Sequence, residues 1–178
     1  MNRHKLIGPL VLTVAFSAMA APDGSPDSEQ VAKLLFEAKS QAVQLREDAS
    51  IMESYTRFTS GGWEAHVATV NTMREHVNAT TRLVNRMESA RATASPWQEV
   101  ALDRIKPLLK EIASNTESVI NYINTNPKRM SMPKYKEYIE TNADVADKLA
   151  GLITDFVDYG KTKSKLEQLT TRLELPEK

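Results

Sequence analysis

Between residues 31 and 52 the apolar side chains fall at Val31, Leu35, Ala38, Ala42, Leu45, Ala49 and Met52, a spacing of 4-3-4-3-4-3. Seven consecutive positions on a 3.5-residue repeat commit this stretch to a helix with a narrow apolar seam, the pattern of a bundle or coiled coil rather than of an isolated surface helix. Three of the seven are alanine, so a neighbouring helix can approach closely. Asp27 stands where an N-cap is needed and Gln30 follows three residues on, in capping-box position. The helix is expected to run to about Phe58, where Thr59-Ser60-Gly61-Gly62 breaks it.

Three more registers follow. Val67, Val70, Met73, Val77, Thr80, Val84 and Met87 keep helical spacing from Trp63 until the pattern fades in Ala92-Thr93-Ala94. Ser95 as cap, Pro96 at the first helical position and Gln98 completing the box open a third helix. Its expected inner face is Trp97, Ala101, Ile105, Leu108, Ile112, Val119 and Ile123, with a kink at Pro107 and an end before Pro127. The last helix starts near Ser131 or Pro133 and runs to about Leu173, with Ile139, Ala146, Leu149, Ile153, Phe156, Leu166, Leu169 and Leu173 expected inward. At 1.5 Å per residue it spans about 60 Å, against about 45 Å for the helices before it, so it must overhang, bend or break. Gly160 is the weakest point and Thr141-Asn142 the next. Strict alternation, the strand signature, is found nowhere. Short connections at 59–62, 93–95 and 125–132 make neighbours antiparallel. The expected fold is all-α: an up-down-up-down antiparallel four-helix bundle with an extended or kinked last helix, one domain over 27–175.

Residues 1–20 read as an address rather than as structure. Arg3 and Lys5 precede an apolar run from Leu6 to Phe16, and Ala18-Met19-Ala20 places small residues at both cleavage-recognition positions. The run is too short for a membrane span, which needs about 20 apolar residues. Cleavage after Ala20 leaves no stable membrane anchor, and no Cys follows it to carry a lipid. Residues 21–26 then form a flexible leader rich in Pro and Gly. The layout is bacterial in style, and the expected location is periplasmic or secreted.

Charge and cysteine usage exclude several functions. The 23 basic and 23 acidic residues balance, and losing Arg3 and Lys5 leaves the mature chain at −2, which removes the argument for a nucleic-acid partner. With no cysteine in 178 residues there is no disulfide framework, thiolate metal site, thiol nucleophile or covalent haem attachment. An exported protein without disulfides holds together by packing.

Candidate chemistry is sparse. His66 and His76 are ten residues apart on one helix, about 15 Å of rise, so they cannot share one ion. No Glu-x-x-His pair serves a di-iron site, and no G-x-S-x-G or Gly-rich phosphate loop occurs. Catalysis has no visible apparatus, and no cofactor is implied. Glu140, Asp144, Asp147, Asp155 and Asp158 spread along a helix as a solvated face rather than a calcium loop. The most distinctive surface stretch is 126–138. Its Lys128, Arg129, Met130, Met132, Lys134, Tyr135, Lys136 and Tyr138 combine cations, thioethers and phenols that suit an anionic or amphipathic protein or peptide partner. The plainer alternative is a solvated loop whose tyrosines staple the start of the last helix. His66 is expected at the same end as Met130 and Met132, and imidazole with thioethers suits Cu(I). Metal or haem binding at that end is therefore the alternative to an interaction or envelope-maintenance role.

The stretch from Ser95 to Leu173, especially SPWQEVALDRIKPLLKEI and YKEYIETNADVADKLAGLITDFVDYGKTKSKLEQL, resembles a group of secreted bacterial helical proteins without a characterised activity. The resemblance covers about half of the chain and implies a secreted helical protein with no activity to carry over. The motif of periplasmic LTxxQ stress chaperones is approached once, at Leu169-Thr170-Thr171-Arg172, without its Gln.

Overall fold

Each apolar register becomes one helix. The computed structural model describes residues 26–58, 62–127, 129 and 131–176, and among these the helices are α1 (Glu29–Phe58), α2 (Trp63–Ser89), α3 (Pro96–Thr125) and α4 (Pro133–Arg172). A 3₁₀ turn, Arg91–Thr93, precedes α3, and the described residues contain no strand. The expected signal sequence at 1–20, most of the 21–26 leader, Thr59 to Gly61 of the first connection, Lys128 and Met130 lie outside the described residues.

Pairs across the helices fix the direction of each. Glu37 faces Arg86, Asp48 faces His76 and Tyr55 faces His66, so α1 and α2 are antiparallel. Lys39 with Asp158 and Arg46 with Asp147 place α4 antiparallel to α1. Arg91 with Asp103 and Lys106 with Glu88 do the same for α2 and α3, and Trp97 with Tyr159 and Tyr122 with Tyr135 for α3 and α4. The molecule is an up-down-up-down four-helix bundle, and each helix packs on its neighbours in the square. All seven residues of the α1 seam are buried, alanines included. Among the described residues no helix is long and apolar enough to cross a membrane.

Several local expectations need correction. The cap of α1 is Ser28 rather than Asp27: the Ser28 carbonyl accepts from Ala32 N–H at 2.9 Å and its hydroxyl from Val31 N–H at 3.4 Å. The box partner is Gln98 of α3 rather than Gln30. Gln98 is 0% exposed, and its Oε1 accepts from Ser28 N–H (2.9 Å) and Ser95 N–H (3.0 Å) while its Nε2 donates to Ser28 O (3.0 Å). One buried amide thus satisfies two helix N-termini and ties α1 to α3. Leu109 rather than Leu108 is buried on α3, and Trp97 and Phe156 are half-buried at its edges. The third helix passes through Pro107 without ending.

Helix α4 does not break at Gly160 or at Thr141-Asn142. Gly160 is there for space rather than flexibility. A Cβ on it would lie 2.8 Å from Trp97 Cη2, so the absent side chain is the seat of the indole. Trp97 also meets Tyr159 edge-on at 5.2 Å and donates its Nε1–H to Asp27 at 2.7 Å. Burial pushes the Asp27 carboxyl up. The Ser95 hydroxyl, the Trp97 N–H and the Lys163 ammonium more than offset this and hold it below the ordinary carboxylate value. Leu166 and Leu173 are not inward as expected but 64% and 58% exposed, because they fall on the side of α4 opposite its buried residues.

Candidate functional site

The end of the bundle opposite Ser28 and Ser95 gathers one ring from each helix. Tyr55 lies in the last turn of α1, His66 in the first turn of α2, Tyr122 in the last turn of α3 and Tyr135 in the first turn of α4. Ring centroids are 5.2 Å apart for Tyr55 and His66, 5.6 Å for His66 and Tyr135, and 5.3 Å for Tyr122 and Tyr135. Tilted ring pairs at this spacing add to the area they bury. His66 and Tyr135 are the first buried residues of α2 and α4, and the half-buried Tyr55 and Tyr122 stand beside the last buried positions of α1 and α3, Thr56 and Ile123.

Tyr135 is 0% exposed and shares a 2.7 Å hydrogen bond with His66 Nδ1. Burial raises the Tyr135 hydroxyl well above its ordinary value, with the nearby Tyr122 adding to the effect, so it stays protonated at any physiological pH. Burial also lowers the His66 pKa, keeping the ring neutral. The pair is therefore an uncharged donor and acceptor in an apolar setting, the arrangement that satisfies buried polar atoms at least cost.

Above this layer lies the 126–138 stretch. Arg129, Met132 and Lys134 are exposed, and Lys136 and Tyr138 are half-buried. Tyr138 packs on Tyr122 at 6.3 Å, and the Lys134 ammonium stands 5.8 Å from the Tyr138 ring centroid, a cation–π distance. The Tyr122 hydroxyl donates to the Arg129 carbonyl at 3.1 Å and pins the connection onto α3. A shallow groove of about 370 Å³ runs between Lys134 and Tyr138 on one side and Ser118, Asn121, Thr125 and Asn126 on the other. Every one of those side chains carries a hydrogen-bonding group, and none is a carboxylate.

The structure brings Tyr135 and His66 together, sets Arg129, Met132 and Lys134 outside them, and leaves Lys128 and Met130 outside the described residues. His66 is buried, with Nδ1 engaged by Tyr135. His76 is far along α2 and bonds Asp48 of α1 at 2.9 Å, whose carboxyl burial raises despite the partner. Among the described residues no three His, Asp or Glu side chains converge as a metal would require. The acidic face of α4 is solvated, Asp147 and Asp158 pairing with Arg46 and Lys39. Sequence reasoning missed Tyr55 and Tyr122 as members of the ring layer. The available signal was their position, each within one turn of a helix end, at the level that antiparallel pairing assigns to His66 and Tyr135.

Comparison with known protein families, with characterised proteins and with solved structures finds no match to this chain.

Proposed function

We propose that the protein is an exported, non-enzymatic binding module that engages an anionic or amphipathic protein or peptide through the connection between α3 and α4. The observation that carries this reading is the layer beneath that connection. Tyr135, buried and bonded to His66, fixes the start of α4, so Lys134, Lys136 and Tyr138 project from a rigid helix rather than from a slack loop. Contacts already ordered before binding cost little further ordering when a partner arrives. The first turn of α4 contains no acidic residue, although the helix dipole favours one there, and Lys134 and Lys136 stand nearby instead. An anionic group on a partner supplies the missing charge, while Met132 and Tyr138 give adaptable apolar contact. Export rests on the tripartite layout of residues 1–20.

The test is crosslinking in the exporting cell with the full chain and with the triple variant Arg129→Glu, Lys134→Glu, Lys136→Glu. The expected result is a mature protein starting at Ala21, found outside the cytoplasm, with a crosslinked species that the triple variant loses. Retention in the cytoplasm overturns export, and crosslinks that survive charge reversal overturn the assigned surface.

A further inference from the structure

The distal part of α4 changes face. Its buried residues Ile139, Ala146, Leu149, Ile153 and Val157 define one side of the helix. At about 100° per residue that side continues through Gly160, Ser164 and Thr171. The leucines at 166, 169 and 173 fall on the opposite side at 3-4 spacing, and Leu166 and Leu173 are exposed. The stripe is therefore not an unfinished piece of the core. It is a second apolar seam, turned away from the bundle, with the spacing that receives another helix.

One edge of this seam is basic. Lys161, Lys165 and Arg172 lie along the same side of α4, and none of the three has an ion-pair partner among the described residues; Lys161 instead stands 5.1 Å over the exposed Phe36 ring. Lys163, by contrast, is engaged by Asp27 and Glu167. A second copy of the stripe offers this edge no carboxylate. Antiparallel pairing sets Lys165 and Arg172 against their own equivalents, and parallel pairing sets them towards Lys163 and Thr170.

From this placement we infer that the outer face of α4 at Leu166, Leu169 and Leu173 docks an amphipathic helix of another protein whose apolar stripe is edged by Asp or Glu. This site lies at the opposite end from the connection assigned above and does not depend on that assignment.

The experiment measures fluorescence anisotropy with two labelled synthetic helices. Both carry leucine at a and d positions over three heptads, one with Glu and the other with Lys at the flanking positions, each too dilute to pair with itself. The full mature protein is expected to bind the Glu-flanked helix saturably and at least tenfold more tightly than the Lys-flanked one, with affinity falling as salt rises. Leu166→Glu with Leu173→Glu, both at exposed positions, is expected to abolish binding while leaving the circular dichroism and melting curve unchanged. Lys161→Glu, Lys165→Glu and Arg172→Glu together are expected to reverse the preference between the peptides. Equal binding of both peptides, or binding that survives the leucine replacements, overturns the inference. A dimer by light scattering that the leucine replacements dissociate assigns the seam to a second copy and overturns it too. Leucine-dependent binding to phosphatidylcholine–phosphatidylglycerol vesicles without peptide binding does the same in favour of a lipid surface.

Discussion

The two ends of the bundle solve one problem by different chemistry. Where chain entry and the α2–α3 connection meet, the buried Gln98 amide makes three directional hydrogen bonds across two helix N-termini, and an indole sits in the gap left by Gly160. At the other end four rings, one from each helix, close the core with a single shared hydrogen bond between His66 and Tyr135. The first end demands particular partners, because the Ser28 and Ser95 N–H groups share one acceptor, Gln98 Oε1. The second relies on area and shape, which tolerate substitution better, but it includes the buried His66, whose pKa burial lowers. Directional hydrogen bonding at one end and the buried histidine at the other are thus separated along the length of this bundle.

The largest expected effect falls on the directional end. Gln98→Leu fills the same space yet leaves the Ser28 and Ser95 N–H groups without their acceptor, costing about 3 kcal/mol and lowering the melting temperature by roughly 9 °C. Calorimetry reads this directly, and a loss under 2 °C would show that the two N-termini find other acceptors. The two interior glycines of α4 sharpen the point. At Gly160 an added methyl group meets the Trp97 ring, and the overpacking outweighs the helix propensity gained, so Gly160→Ala should destabilise by about 1 kcal/mol. At Gly151 an added Cβ has nothing within 4 Å, so Gly151→Ala should stabilise by about 0.5–1 kcal/mol. Equal shifts in the same direction at both positions would refute the role given to Trp97.

How much of this was legible beforehand depends on whether a feature is periodic. The seam of α1 was readable to the residue, because a 3.5-residue repeat is local information and the fold had only to supply a neighbour. The Ser95-Pro96-Gln98 start was readable for the same reason. The second role of Gln98 was not, since nothing within α1 says that its cap partner comes from a residue 70 positions away. Gly160 misled for a related cause: a glycine inside a helix costs stability unless something occupies the space it leaves, and that something was Trp97 on another helix. Leu166 and Leu173 were read inward because leucines at helical spacing usually face a core. The phase change after Val157 was present in the sequence but needed the length of α1 and α3 to show that no core remained at that level. At the loop end, the exposed cations of 126–138 were legible from composition, whereas the ring layer supporting them required the antiparallel pairing of all four helices.

The smaller effects belong to the ring end. Tyr135→Phe keeps the ring and removes the hydroxyl, leaving His66 Nδ1 without its partner, for a loss of about 1 kcal/mol in urea unfolding. The pH dependence then separates the two ends. Burial holds the folded His66 pKa below the 6.5 of the unfolded chain, so protonation favours the unfolded state. The rings facing it are Tyr55 from α1 and Tyr135 from α4, and no carboxylate pairs with it among the described residues. Its stabilising contribution is complete above pH 6.5 and declines as the pH falls from there towards the folded value. Asp27 at the other end is held below its unfolded 3.8, so its contribution persists through that range and is lost only as the pH falls below 3.8. The urea midpoint should therefore drop between pH 7 and pH 5 in the natural chain and drop less in His66→Phe, whereas Asp27→Asn should leave that slope unchanged while flattening the dependence below pH 4. A slope between pH 7 and pH 5 that persists undiminished in His66→Phe would move the pH-sensitive element away from the ring layer.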